Sequence, residues 1–321
     1  MRISIFGLGY VGAVSAACLA KEGHQIVGVD VNRTKADMLA AGHSPIVEPG
    51  LDALLKEVTS GADGGGGGAL TATTDVERAV TETEISLIFV GTPSRDNGSL
   101  DLQYVRRCAQ QIGSALKDKD AFHAVVARST MLPGSVEEII VPAIESASGK
   151  RLGSEFGAAM NPEFLRESTS IHDFYHPSVT VIGADCERTA DQVAGIYHFL
   201  DAPLVRTDIR TAEMVKYANN SFHGLKVSFA NEIGALCKAQ GIDSHQVMDI
   251  FCRDRKLNLS PYYPSRALPS GDPACPRICA PRPIRPSAWT SKFRCSTRSS
   301  PAIESTSNGP STRSCAAGAG A

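Results

Sequence analysis

The side chains best suited to chemistry fall into two groups in the second half of the sequence. Asn161-Pro162-Glu163 follows a short apolar run, Gly157 to Met160, and Glu167 comes four residues later. If a helical turn begins near Pro162, Glu163 and Glu167 share a face. Paired carboxylates beside a strand end position water or accept protons; the plainer reading is a capping or solvated acidic face. The second group lies on a long helical stretch, "DIRTAEMVKYANNSFHGLKVSFANEIGALCKAQG". Met214, Val215, Ala218, Phe222, Leu225, Phe229, Ile233 and Leu236 occupy one arc about 100° wide, and Lys216, Asn220, His223 and Asn231 an opposite arc of about 80°. An exposed helix face ordinarily carries Glu and Lys, so this stripe reads as the wall of a site, with solvated surface as the alternative. A lysine buried against a cavity would stabilise an oxyanion or carry a depressed pKa.

A third group opens the chain. An apolar run, Ile3 to Phe6, breaks into Gly7-Leu8-Gly9-Tyr10-Val11-Gly12, continues as a helical pattern through Lys21, and is followed by a second run, Ile26 to Val29, ending at Asp30. Strand, glycine turn, helix, strand and acid in that order are the context of a dinucleotide fingerprint. Gly7 permits the turn, Gly9 lets backbone amides approach a pyrophosphate, and Gly12 lets helix and strand pack closely. The helix N-terminus then faces the phosphates. Asp30 can accept hydrogen bonds from an adenosine ribose, which favours NAD over NADP because a 2'-phosphate would meet a like charge. Lys35 stands near enough to help hold the adenosine end, or is a solvated helix residue.

The elements that must position these groups alternate. Arg33 through Ala41 reads as a helix, and "GHSPIVEPGLDALL" as a loop and short helix. Gly61 to Gly68 reads as a mobile surface loop, because glycine loses the most entropy on ordering. Thr74-Asp75 starts a helix, and Ile85 to Val90 is a buried strand ending in Gly91-Thr92-Pro93. "LDLQYVRRCAQQIGSAL" is a helix, "FHAVVARSTMLPG" a strand running into Arg128-Ser129-Thr130, and residues 136–146 have helical spacing. Ligands collect at the carboxyl ends of strands in parallel α/β sheets, so Thr92 and Thr130 are candidate cofactor contacts, Thr92 alternatively an ordinary turn residue. Val179 to Ile182 is a further strand, 187–199 a helix, "APLVR" an edge strand, and "IDSHQVMDIFC" a helix capped near Asp243 or Ser244. The expected fold is α/β: a Rossmann-like NAD-binding domain over 1–206, then a long central helix, long enough to link domains or subunits, and a shorter helix over 207–263.

Composition narrows the function classes. A formal charge of −2 over 321 residues gives no argument for nucleic-acid binding. No apolar run is long enough to span a membrane, and with a core strand at its start no removable signal is expected. The nine cysteines form no convincing metal spacing, so no metal is expected and a reducing cytoplasm is the default. The averages conceal a break. From Pro264 onward lie nine of the eighteen prolines, four of the nine cysteines, and eight Lys/Arg against two Asp/Glu. Residues 264–321 therefore read as a disordered, aberrant tail.

The blocks "IFGLGYVGAV", "SPIVEPGL", "FVGTPS", "VARSTMLPG", "NPEFLRES", "AEMVKYANNSFHGLKVSFANEIG" and "LNLSPYY" resemble the UDP-glucose/GDP-mannose dehydrogenase family and cover almost all of residues 1–263. The resemblance implies an NAD-dependent, four-electron oxidation of a nucleotide sugar's primary alcohol to a carboxylate, in a homodimer joined through the central helix. GDP-mannose going to GDP-mannuronate, an alginate precursor, is the implied reaction; UDP-glucose oxidation and a noncatalytic NAD-binding or dimerising fragment are the alternatives. It further implies that Tyr10, Val11, Asp30, Lys35, Thr92 and Thr130 contact NAD and that Glu163, with Thr130, positions water. Glu167, Lys216, Asn220, His223, Asn231, Tyr262 and Tyr263 would line the sugar-nucleotide site, and Lys216 and Asn220 would stabilise charge on the reacting oxygen. A cysteine thiolate would hold the aldehyde between oxidations.

That cysteine is where the sequence departs. The family pattern after the paired tyrosines is a glycine-rich segment containing "GGSCLPKD" and then a second α/β domain, whereas this chain has "PSRALPSGDPACPRICAPRP". Asp272 to Ile278 can be encoded as GAT CCT GCC TGC CCA AGG ATC, and shifting by two bases gives TCC TGC CTG CCC AAG GAT, which reads Ser-Cys-Leu-Pro-Lys-Asp. A frameshift between about Tyr263 and Asp272 accounts for the tail. Cys275, followed by Pro276 and without a glycine setting, is no stand-in for the nucleophile, and impaired activity is expected.

Overall fold

The computed structural model describes residues 1–60, 68–97 and 99–255. The glycine loop at 61–67, Tyr262, Tyr263, Cys275 and the whole of the 264–321 tail lie outside the described residues. Eight strands form one sheet: β1 (Arg2–Phe6), β2 (Gln25–Val29), β3 (Leu70–Thr73), β4 (Ile85–Ile88), β5 (His123–Ala127), β6 (Phe156–Met160), β7 (Thr180–Ala184) and β8 (Leu204–Thr207). Their order is β3-β2-β1-β4-β5-β6-β7-β8. All neighbours are parallel except β6 and β7. The first six strands have the doubly wound order, whose chain reversal between β1 and β4 opens a crevice at the strand ends.

Strand alternation builds two apolar layers, one on each face of the sheet. Ile3 and Ile5 of β1 pack with Val14, Leu19 and Leu55, while Phe6 joins Ile112, Val125, Ile144 and Phe156. The first face is covered by α1 (Tyr10–Lys21), α3 (Leu51–Thr59), α7 (Ser170–Tyr175) and α8 (Glu187–Ala194), and the second by α4 (Val76–Glu82), α5 (Gln103–Leu116) and α6 (Val141–Ser148). The helix α2 (Arg33–Ala40) follows β2 at the sheet's end.

Two elements go beyond the sequence reading. The strand β3, "LTAT", buries fully only Leu70, so it carries almost no apolar signal. The helix α7 has six residues and is too short for helical periodicity to register. Residues 136–148 divide into a π turn, Val136–Ile140, and α6. The amides of Gly134 and Val136 at the head of that turn donate to the buried Glu213 carboxylate at 2.5 and 2.9 Å.

The long helix α9 (Ile209–Gln240) is capped by Asp208, whose carboxylate accepts from the Thr211 amide at 2.8 Å, and ends at the left-handed Gly241. Its first two turns lie on β7: a Cβ at Gly183 would stand 2.6 Å from the Ala212 Cβ, so glycine is what lets helix and strand approach. Past residue 217 the expected division into an apolar core face and a polar site face does not hold. Phe222, Leu225, Phe229 and Leu236 are exposed, and so are Asn220, His223 and Asn231. The partner here is α10 (Ser244–Phe251), whose Phe251 ring lies 5.4 Å from that of Phe229. Periodicity identified the helix but assumed a core that the described residues do not supply there.

Candidate functional site

The three glycines of the first turn do three different things. Gly7 takes φ +99°, and a side chain there would meet the Phe89 backbone at 3.0 Å. A Cβ on Gly12 would fall 1.9 Å from the Gly7 carbonyl oxygen, so the helix packs on the turn only because Gly12 has none. A Cβ on Gly9 would meet nothing within 4 Å, leaving an open cradle above the first turn of α1, where the amides of Tyr10 and Val11 lack helical partners. Asp30, one residue past β2, is fixed by the Leu8 amide on Oδ2 and the Asn32 amide on Oδ1, both at 2.8 Å. Each oxygen keeps a further acceptor position. An open cradle, free amides and an oriented carboxylate fit a dinucleotide's pyrophosphate and ribose. Lys35 is half-buried on α2, consistent with either of its readings.

The strand ends expected to match do meet. Thr92 and Thr130 leave the neighbouring strands β4 and β5, and the Thr92 hydroxyl donates to the Thr130 carbonyl at 2.9 Å. Glu163 leaves β6, the next strand over. Its carboxylate and the Lys216 ammonium form an ion pair at 2.7 Å, with side chains only 10% and 7% exposed. Lys216 Nζ also donates to the Glu163 carbonyl at 2.6 Å, and Glu163 Oε2 accepts from the Leu165 amide at 2.7 Å.

The paired-carboxylate geometry is corrected. Residues 161–166 are not helical, and Glu167 is exposed in a turn while Glu163 faces Lys216. Pro162 disfavours a helical Asn161, Glu163 bonds the amide two residues on, and Arg166 is drawn to Asp173 at 2.7 Å. The Arg166 guanidinium holds the Asp173 carboxyl well below the usual carboxylate range. Asn220, His223 and Asn231 make no side-chain hydrogen bond among the described residues, so Lys216 is the member of that stripe the structure brings to the carboxylate.

Sequence reasoning passed over the residues that brace this site. Arg128 is buried under it and donates to Asn161 Oδ1 at 2.5 Å and to the Tyr197 hydroxyl. Tyr197 also donates to Asn161 at 2.5 Å, and Asn161 Nδ2 to the Val181 carbonyl at 2.7 Å. The Phe89 ring, 5.2 Å from the guanidinium carbon, covers a charge that faces no carboxylate among the described residues. Burial pushes the Tyr197 hydroxyl pKa up, so it stays a donor. A cavity of about 820 Å³ opens beside the site, with Arg128 and Asn161 on one side and Val215, Ala218 and Phe222 of α9 on the other. A polar strand end, "ARS", was the one sequence signal for Arg128.

Comparison with known proteins decides what this geometry belongs to. Residues 1–201 match the UDP-glucose/GDP-mannose dehydrogenase family's NAD binding domain, and residues 210–275 match its central domain. The chain belongs to the UDP-glucose/GDP-mannose dehydrogenase family. NAD is accordingly the cofactor of the domain that holds the glycine turn. Within this family, GDP-mannose 6-dehydrogenase of Pseudomonas aeruginosa is 50% identical over 285 residues, 89% of this chain and 63% of that protein. A UDP-glucose 6-dehydrogenase of Haloferax volcanii is 40% identical over 262 residues, 80% of this chain and 59% of that protein. The chain thus spans less than two thirds of the length of either relative. A crystal structure of GDP-mannose dehydrogenase from Pseudomonas aeruginosa in a ternary complex superposes with a TM-score of 0.78 at 52% identity, covering 82% of this chain and 59% of that one. The expected family, the α/β fold with its Rossmann-like sheet and long helix, and the NAD cofactor are borne out.

Proposed function

We propose that the chain is built for NAD-dependent oxidation of a nucleotide sugar's primary alcohol to the carboxylate, with GDP-mannose as substrate and GDP-mannuronate as product. The observation that carries this reading is that the carboxyl end of the sheet holds both the open Gly9 cradle, after β1, and a buried Lys216–Glu163 pair, after β6. NAD, when bound, supplies the hydride acceptor. Lys216 uses two of its three ammonium protons on Glu163, which leaves one to steady negative charge on the reacting oxygen. Glu163, held at both oxygens, is a fixed carboxylate from which water is oriented, with Thr130 beside it on the next strand. The choice of GDP-mannose over UDP-glucose rests on the higher identity to the Pseudomonas aeruginosa enzyme.

The same reading holds that this polypeptide turns over poorly. Two oxidations in sequence need a thiolate to keep the aldehyde bound. Burial pushes the thiols of Cys18 and Cys108 up to about 12, so neither is a nucleophile at neutral pH. Cys275 sits in "DPACPRI" where the family pattern has "GGSCLPKD", which a frameshift explains. A homodimer through α9 is supported by the exposed Phe222, Leu225, Val227 and Leu236 on that helix. A cytoplasmic setting remains the default for a nucleotide-sugar substrate. Among the described residues no helix is long and apolar enough to cross a membrane, and no group of three or more His, Cys, Asp or Glu is arranged to hold a metal.

The test is NADH formation by the purified chain with GDP-mannose and, separately, with UDP-glucose, alongside the encoding DNA across residues 263–275. Slow or absent turnover and a displaced reading frame are expected. Brisk turnover with GDP-mannose overturns the impairment, and turnover with UDP-glucose alone overturns the substrate.

A further inference from the structure

Glu48 is a buried carboxylate that pairs with no cation among the described residues. It lies just before α3, and neutral donors fill its acceptor sites. The Tyr10 hydroxyl and the Ser168 amide, the latter at 2.9 Å, meet Oε2, and the Ser170 amide meets Oε1 at 2.9 Å. The Ser168 amide also points at the Tyr10 hydroxyl oxygen, 2.7 Å away. Ser168 has φ +70° and is the one non-glycine with a left-handed backbone among the described residues. A serine stays in that conformation where its surroundings fix it, and here the fixing groups are Glu48 and Tyr10. Burial alone would raise the Glu48 carboxyl, but the hydrogen bonds from Tyr10, Ser170 and Ser168 outweigh it and leave it below the usual carboxylate value.

Tyr10 is the joint in this arrangement. Its amide belongs to the first turn of α1, whose free N–H groups face the dinucleotide cradle, while its hydroxyl belongs to the Glu48 cluster. Across the cluster, the segment that Ser168 anchors runs back through Glu167 to Glu163. We propose that Glu48 is a positioning residue that couples the dinucleotide-binding turn to the 161–170 segment, so that NAD on one and order in the other reinforce each other. Coupling of this kind is reciprocal: whatever NAD gives to the segment, the segment returns to NAD affinity. The proposal rests on the reading of the glycine turn as the NAD site. It reaches beyond that reading in making a residue outside the turn, far along the chain from Glu163, set how Glu163 is presented.

The test uses the full chain and two readouts that do not need turnover: hydrogen exchange across residues 164–174 with and without saturating NAD, and calorimetric titration with NAD. The expected result is that NAD slows exchange at Ser168 and Ser170 by about tenfold, the scale of one hydrogen bond to a charged acceptor. Tyr10→Phe, which removes only the hydroxyl, and Glu48→Gln should reduce that slowing to less than about twofold and weaken NAD binding by the factor lost, about fivefold or more. A strut with no link to NAD would protect the segment equally with and without it. NAD binding with no slowing in the wild type, or slowing that survives Tyr10→Phe, overturns the coupling alone. Absence of NAD binding in the wild type overturns the coupling and the cofactor reading together. Should Glu48→Gln fail to fold, Tyr10→Phe decides the matter.

Discussion

Replacing Lys216 by methionine keeps most of the side chain's volume and removes its charge from a site largely closed to solvent. The ammonium makes two hydrogen bonds to Glu163, at 2.6 and 2.7 Å, and the two side chains are 7% and 10% exposed. Without it, Glu163 keeps only the Leu165 amide as a described partner. A buried ion pair broken from one side leaves an uncompensated charge and costs about 3–5 kcal/mol, a large share of the ~5–15 kcal/mol that holds a typical domain together. Glu163→Gln removes the charge but keeps an acceptor for Lys216, and should cost about 2–3 kcal/mol. Combining them should cost less than the sum of the singles, by about 2 kcal/mol, because the second change removes a charge the first has already stranded. Urea denaturation of the four proteins, followed by circular dichroism, gives all three differences. A Lys216→Met cost under about 1 kcal/mol, the range of exposed pairs, or strict additivity in the double variant, would refute the claim that this pair is buried and coupled.

The glycine turn separates packing from ligand access. Gly12→Ala, whose methyl would stand 1.9 Å from the Gly7 carbonyl oxygen, should lose about 3 kcal/mol in the same denaturation assay. Gly9→Ala, whose methyl has open space, should leave stability within about 0.5 kcal/mol of wild type. By calorimetry it should weaken NAD at least about tenfold, because the methyl sits where the pyrophosphate approaches. Lys119 gives a pH signature. Burial, with Arg2 and Lys150 adding to it, lowers its pKa to about 8 from an ordinary 10.5. Between those values the unfolded chain holds a proton the folded chain has lost, so stability rises with pH across that window. Wild type should therefore gain on Lys119→Met as pH is raised from 8 toward 10.5, and a difference that stays flat or shrinks counts against the burial.

Local chemistry was legible in the sequence because it acts over a few residues. The three glycine roles, the caps at Asp75 and Asp243, and the apolar strands needed only neighbours along the chain. What escaped depends on contacts between distant segments. Lys216 and Glu163 are 53 residues apart, and Glu48 and Ser168 are 120 apart. Neither pairing has a spacing signature. The strand β3 went unread because one buried leucine and two threonines make a weak apolar pattern. The reversal of β7 went unread because an apolar strand pattern does not record whether a strand runs with or against its neighbour. The stripe on α9 shows the opposite error: the angular arithmetic was sound, but it assumed a core behind every apolar face.

The glycine turn and Asp30 are expected to form a working NAD site in this chain, whatever has befallen its nucleophile segment. Calorimetric titration of the full polypeptide with NAD and with NADP tests this most directly. Saturable NAD binding is expected, with NADP bound more than about tenfold more weakly, since the 2'-phosphate would face the Asp30 carboxylate. No NAD binding, or NADP bound as tightly as NAD, would contradict it.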